Sequence, residues 1–139
     1  MLSYPFKQRL DANGAYLLTF PDFPEAGFSA RTKASVTRKA GGALESALDL
    51  YFKERRAVPM PSAPKRGQGI VTLSAGMSAK VLLRNQMIAQ KVRQRDLTRR
   101  LKTTPQAVNR LITLTHPTKI DKLVEAFAAL GKKLELRVV

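Results

Sequence analysis

Over residues 3–10 the apolar side chains Tyr4, Phe6 and Leu10 fall on even positions, the two-residue period of a strand. Asn13-Gly14 then marks a hairpin turn, and Ala15–Phe20 forms a second strand. Asp22-Phe23-Pro24-Glu25 reads as a turn-rich connection, with a short third strand at Gly27–Ala30. The period then changes. Ala43, Leu44, Ala47, Leu48, Tyr51 and Phe52 recur at three and four residues, which predicts one buried helix face, capped by Thr32 or Ser35 and ending near Glu54. Gly41-Gly42 weakens that helix by about 1 kcal/mol per glycine relative to alanine. Either the helix packs closely there or it starts later. This first unit reads β-β-β-α, a small sheet with one helix across it.

Val58–Gly69 contains Pro59, Pro61, Pro64, Gly67 and Gly69, so it is an extended connection and not helix. Ile70–Leu73 is a candidate strand that returns to the first sheet. A helix follows over Ser78–Val92, with Val81, Leu82, Ile88 and Ala89 inward. A last helix, capped by Thr115 or Thr118, carries the stripe Leu123, Val124, Phe127 and Leu130 and stops at Gly131. The tail Lys133–Val139 alternates Leu134, Leu136 and Val138 with Lys133, Glu135 and Arg137, a half-buried strand without a local partner. Such a strand invites pairing with the same strand of a second subunit, hence a homodimer or tetramer. The expected class is α+β: a small N-terminal β-sheet with one packed helix (residues 1–74), then a helical domain ending in a short strand (residues 75–139).

Between the last two helices named lies the strongest pattern in the chain, Gln94–Leu111. Leu97 and Leu101 share one face of a short helix, and Val108 and Leu111 share one face of the next. Thr104-Pro105 is a helix start: Thr104 as N-cap, Pro105 at the first position, where its missing N–H is of no consequence. Two short helices joined this tightly cross steeply, as in a helix-turn-helix. The second presents Gln106, Asn109 and Arg110 outward. Gln and Asn pair bidentately with adenine, and Arg pairs with guanine or phosphate. Thr104 or Gln94 reaches phosphate near a helix start, and Arg95, Arg99, Arg100 and Lys119 lie where backbone contacts are expected.

Charge sharpens this reading. The 139 residues carry a formal +15. Residues 1–65 hold ten Lys/Arg and six Asp/Glu, a net +4, whereas residues 66–139 hold fifteen and four, a net +11. A positive field concentrated in the second half draws polyanions in a salt-sensitive way. Its basic residues do not oppose a broad apolar face, as a membrane-surface helix requires. No apolar run is long enough to span a bilayer, and the N-terminus has no signal-peptide core, so a cytoplasmic protein is expected. With no cysteine and one histidine, His116 in a loop beside Pro117, there is little basis for disulfides, zinc or a catalytic triad. No cofactor, metal site or catalytic residue is expected.

Several stretches in register carry a resemblance: Phe20-Pro-Asp-Phe-Pro-Glu25, Leu48-Asp-Leu-Tyr-Phe52, Val58-Pro-Met-Pro61, the Arg-Arg-Leu-x-x-x-Pro-Gln run from Arg99, His116-Pro-Thr-Lys-Ile-Asp121, and Ala129–Leu136. With these in order, nearly the whole chain resembles the HicB antitoxins of bacterial toxin–antitoxin pairs. The resemblance implies an N-terminal domain like a reduced RNase H fold without nuclease activity, which binds and masks a HicA-type mRNA-cleaving toxin. It implies a C-terminal helix-turn-helix half that binds operator DNA as a dimer or larger assembly, so that the antitoxin autoregulates its operon.

This sequence departs from the usual pattern at two points. A helix-turn-helix commonly has Gly in the turn and a small Ala in the first helix; here Lys102 and Thr98 stand there. Either Lys102 takes a positive φ, which strains the backbone by about 1 kcal/mol, or the turn itself differs slightly. The N-terminal half is also mildly basic, so toxin masking rests on shape and on local acids, with Asp22, Glu25, Glu45 and Asp49 as candidates. Other classes fit less well. A metal-dependent nuclease needs several converging carboxylates. Asp11, Asp22, Glu45 and Asp49 are available, but nothing in the pattern places Asp11 beside the others. An RNA binder would stack bases on aromatic residues, which are only 6% of the chain. The main alternative is a stand-alone, phage-type DNA-binding repressor.

Overall fold

The computed structural model describes all 139 residues. Its first part is an antiparallel sheet of four strands, β1 (Ser3–Leu10), β2 (Tyr16–Phe20), β3 (Phe23–Ala30) and β4 (Gly69–Thr72), in the order β3-β2-β1-β4. Helix α1 (Lys33–Lys53) lies across one face. The returning strand is present as expected: β4 pairs with β1, with Tyr4 opposite Val71 and Phe6 opposite Gly69. Glycine is required at 69 because a Cβ there would lie 2.2 Å from the Phe6 ring.

Strand β3 begins four residues earlier than the sequence pattern indicated, taking in Phe23-Pro24-Glu25. Pro24 is tolerated because β3 is the outer strand, where a missing N–H breaks no ladder on its free side. The register shifts beside Phe20: Thr19 faces Gly27 while Phe20 faces Phe23. That irregularity changes the parity of β3, so Phe23 and Phe28 both reach the core.

Thr32 caps α1 by accepting from the Ser35 N–H at 3.1 Å. The helix buries Val36, Ala40, Leu44, Ala47, Leu48, Tyr51 and Phe52 against Tyr4, Phe6, Leu18, Phe20 and Phe23. Phe23 is the hub of the aromatic packing, 5.0 Å from Tyr4 and 5.4 Å from Tyr51 between ring centroids. The two glycines lie well inside α1, and a Cβ on either would meet nothing within 4 Å. Neither close packing nor a late start accounts for them; the buried face carries the helix through two poor formers.

The proline-rich segment is tethered along its length. Tyr4 donates its hydroxyl to the Pro59 carbonyl at 2.8 Å, and Asn85 bonds both backbone groups of Val58 at 2.8 Å. Asp22 accepts from the Ser62 N–H at 3.1 Å.

The remaining helices are α2 (Ala75–Ala89), α3 (Gln94–Arg100), α4 (Pro105–Leu111) and α5 (Ile120–Ala129). Helix α2 starts three residues before Ser78, capped by Ser74. It buries Leu83 and Met87, whereas Leu82 and Ile88 are half-buried and Ala89 is exposed. The expected face is rotated because α2 serves two cores at once: Val81 enters the sheet cluster, while Leu83 and Met87 enter a second cluster with Leu97, Val108, Leu111, Leu123 and Phe127. Leu114, in the loop after α4, also packs into the first cluster. Helix α5 begins after Lys119, not at a threonine cap, and buries Ala126 in place of Val124.

The tail does not form a strand. Residues 132–139 have no regular structure, and Leu136 and Val138 are exposed. The tail pairs with neither edge strand of the sheet, β3 or β4, and so forms no ladder.

Four helices end in the same way. After α1, α2, α3 and α5, a residue at positive φ turns the chain: Arg55, Lys91, Lys102 and Gly131. The next N–H reaches back to a carbonyl five residues earlier, from Arg56 to Tyr51, Val92 to Met87, Thr103 to Thr98 and Lys132 to Phe127. This is a Schellman closure. In three of the four, a basic residue occupies the glycine position.

Candidate nucleic-acid interface

Helices α3 and α4 are joined by Leu101–Thr104 and pack through Leu97, Val108 and Leu111. Lys102 adopts φ +52° in the turn, the strained conformation anticipated where glycine is usual. Thr104 accepts from the Ala107 N–H at 3.2 Å, and Pro105 occupies the first helical position. The start of α3 is secured by Asp96, whose carboxylate accepts from the Arg93 N–H at 2.9 Å. That bond, with Arg99 and Arg95 beside it, holds the Asp96 carboxyl below the usual range. Thr98, at the position where alanine is usual, turns its hydroxyl back to the Gln94 carbonyl at 2.8 Å.

Gln106, Asn109 and Arg110 are all exposed on α4. Together with Gln94 and Pro105 they line one open hollow that contains no apolar side chain apart from the proline ring. Gln94 donates to the Pro105 carbonyl at 3.3 Å, which fixes it beside the start of α4. Lys119 lies elsewhere: with Arg110, Thr118 and Lys122 it lines a second hollow after α4. Arg110 belongs to both. Arg95 lines a different cleft, with Arg84 and Arg93, which Gln94 also borders. Six of the seven expected residues therefore form a connected polar and basic surface, and Thr104 is engaged in capping.

Two further candidates are bound internally. Arg99 pairs with Asp96 at 2.7 Å, and Arg100 donates to the Ala129 carbonyl at 3.2 Å. Both side chains are nonetheless exposed, Arg99 at 77%, so these bonds restrain them on the surface of α3.

The sequence reading missed Lys80. Its side chain is 2% exposed, in the middle of α2, and its ammonium donates to the carbonyls of Arg110 and Thr113 at 2.8 Å and to that of His116. These carbonyls are at the end of α4 and in the loop beyond, where the helix dipole favours a cation. Burial pushes the Lys80 ammonium down to about 8, so it stays charged at neutral pH. One buried cation thus fixes the exit of α4 against α2. The only signal for it was a lysine between the apolar residues Ala79 and Val81.

The N-terminal acids are mostly occupied within the chain. Asp22 holds Ser62, and Asp49 pairs with Lys53 at 2.9 Å. Glu25 lies 3.5 Å from Arg56, whose guanidinium also stacks over Tyr51. A hydrogen bond from Tyr51, with Arg56 nearby, holds the Glu25 carboxyl below its ordinary range. Asp11 closes the first hairpin by accepting from the N–H groups of Asn13 and Ala15. No three of the His, Asp and Glu side chains converge into a metal-binding group. No helix is long and apolar enough to cross a membrane.

The chain is an α+β protein with a sheet-and-helix half and a basic helical half, the two sharing α2. The HicB_like antitoxin family of bacterial toxin–antitoxin systems matches residues 3–82. Antitoxin HicB 2 of Photorhabdus laumondii is 41% identical over 135 residues, covering 97% of this chain and 95% of that one. Antitoxin HicB of Escherichia coli K12 is 34% identical over 138 residues, 99% of this chain and all of that one. Antitoxin HicB of Pseudomonas fluorescens is 30% identical over 126 residues, 90% and 86% of the two chains. The chain belongs to the HicB-like antitoxin family, and this membership points to a regulatory and not an enzymatic role.

Proposed function

We propose that this antitoxin binds and neutralises a HicA-type mRNA-cleaving toxin through residues 1–74 and represses its own operon through residues 75–139, acting in the cytoplasm. In this reading α3, the turn and α4 are a helix-turn-helix, and α4 is the recognition helix in the major groove. The carrying observation is the surface of α4: Gln106, Asn109 and Arg110 exposed side by side, flanked by Gln94 and bordered by the Lys119–Lys122 hollow. Gln106, Asn109 and Arg110 read bases. Gln94, Arg95 and Lys119 face phosphates, and so does Thr104, whose hydroxyl oxygen also accepts the cap bond from Ala107. The sheet order with its single covering helix supports the reduced RNase H-like reading of the first half. The unpaired tail supports a homodimer or tetramer, in which it gains the ladder partner it lacks in one chain.

Two experiments divide the proposal. Co-expression with the small neighbouring reading frame, tagged on the neighbour alone, should yield a stoichiometric complex and restore growth that the neighbour inhibits. A free neighbour with no rescue refutes the toxin-binding half and leaves a stand-alone repressor. Independently, a duplex carrying the region upstream of the gene should bind far more tightly than an unrelated duplex of equal length at the same salt concentration. Equal binding to both refutes operator recognition.

A further inference from the structure

Between the end of α1, the end of α2 and the start of α3 lies a half-open cleft of about 490 Å³. Five cations line it: Arg55, Arg84, Lys91, Arg93 and Arg95. It contains no acidic residue, and its floor is Met87, Ile88 and Val92. None of the five has a carboxylate at ion-pair distance, since the chain's ion pairs use Lys53, Arg56, Arg99 and Lys133. Unbalanced like charges around a concave surface repel one another and concentrate the field in the opening.

Arg84 is the decisive member. It is only 8% exposed, yet its Nε has no hydrogen-bond partner. Its one bond within the chain, to the Phe52 carbonyl, is long at 3.5 Å. A buried donor left unsatisfied is uncommon, and a bound ion is one of the things that supplies the missing acceptor. A guanidinium offers a planar fork that matches phosphate oxygens. The cleft wall carries a second observation. Arg55 and Lys91, directly after α1 and α2, hold positive φ of 54° and 56°, where glycine would relax the backbone. Both residues line the same cleft as the unpartnered arginine.

We propose that this cleft binds a phosphate-class oxyanion, with Arg84 as the buried anchor and Arg55, Lys91, Arg93 and Arg95 as the surrounding cations. The phosphate comes either from a free phosphate-bearing compound or from the backbone of bound DNA. The anion-binding claim does not depend on operator recognition, because it is tested on the protein alone.

The probe is inorganic pyrophosphate, titrated calorimetrically into the full chain at constant ionic strength against a sodium chloride control. Two variants accompany it: Arg84→Met, and the double variant Arg55→Gly/Lys91→Gly, which keeps both turns in a conformation glycine prefers. Saturable binding by the parent chain is expected, weakened about tenfold or more in each variant. The double variant serves if Arg84→Met fails to fold. Heats no larger than those of the chloride control, or variants binding as tightly as the parent, overturn the proposal. A competition arm then identifies the source. If pyrophosphate displaces duplex DNA from the parent chain at fixed ionic strength but not from the variants, the site takes a backbone phosphate. If both bind together, it takes a free phosphate compound.

Discussion

Replacing Lys80 with methionine removes an ammonium while keeping a flexible apolar stem of similar length. Three acceptors then lose their donor: the carbonyls of Arg110, Thr113 and His116. Hydrogen bonds to a charged group contribute about 1.5–3 kcal/mol each, so the three together are worth about 4–9 kcal/mol. Burial offsets part of this. The depression of Lys80 to about 8 from 10.5 corresponds to a cost of about 3 kcal/mol at neutral pH. The expected net loss is about 1–6 kcal/mol, a sizeable part of the roughly 5–15 kcal/mol that holds a domain folded. Urea denaturation of the parent and Lys80→Met chains at pH 7 measures it, with Lys119→Met as the exposed-lysine control near zero. The same variant should loosen α4 and weaken operator binding more than Lys119→Met does. A stability loss below about 0.5 kcal/mol, outside the range for three buried carbonyls left unpaired, refutes the argument.

Asn109→Ala should cost about 1–3 kcal/mol on the upstream duplex and almost nothing on unrelated DNA; a uniform loss on both would place Asn109 among phosphate contacts. Lys119→Ala should weaken all duplexes alike and reduce the slope of log K against log salt by about 0.9, so an unchanged slope removes Lys119 from the interface. Within α1, Gly41→Ala and Gly42→Ala should each stabilise by about 0.5–1 kcal/mol in thermal denaturation, because the added methyl meets nothing within 4 Å. Tyr4 gives the pH dependence. Burial, helped by Asp22, pushes its phenol well above 10, so above about pH 10 the unfolded chain ionises while the folded chain keeps the proton. The contribution of Tyr4 is therefore full below pH 10 and lost as pH rises, and Tyr4→Phe should flatten the alkaline decline in urea midpoint.

Much of the fold is written in local pattern. A two-residue period bounded by Asn13-Gly14 sets β1 and β2, because a strand shows alternate residues to one face whatever it packs against. Thr32 and Thr104-Pro105 mark helix starts through bonds made within a few residues, and both caps are present. The exposure of Gln106, Asn109 and Arg110 follows from the apolar spacing of Val108 and Leu111 on the same helix. The anticipated positive φ at Lys102 is equally local, set by the four residues between α3 and α4.

What sequence alone could not decide is which face of an element meets which neighbour. Period shows that α2 is amphipathic, but only the assembled fold shows that it lies between two cores, burying Leu83 and Met87 in one and Val81 in the other. The tail alternates as a strand does, yet a strand exists only beside a partner, and the tail pairs with neither edge of the sheet. Lys80 and Arg84 look like surface charges in a list of residues. Their burial depends on α4, its following loop and the end of α1, which come from 30–36 and from 32 residues away in sequence. The sequence by itself determined the kinds of element, their order and the basic half; the tertiary structure decided which charges became internal anchors, because a hydrogen bond between distant residues depends on positions that no local period encodes.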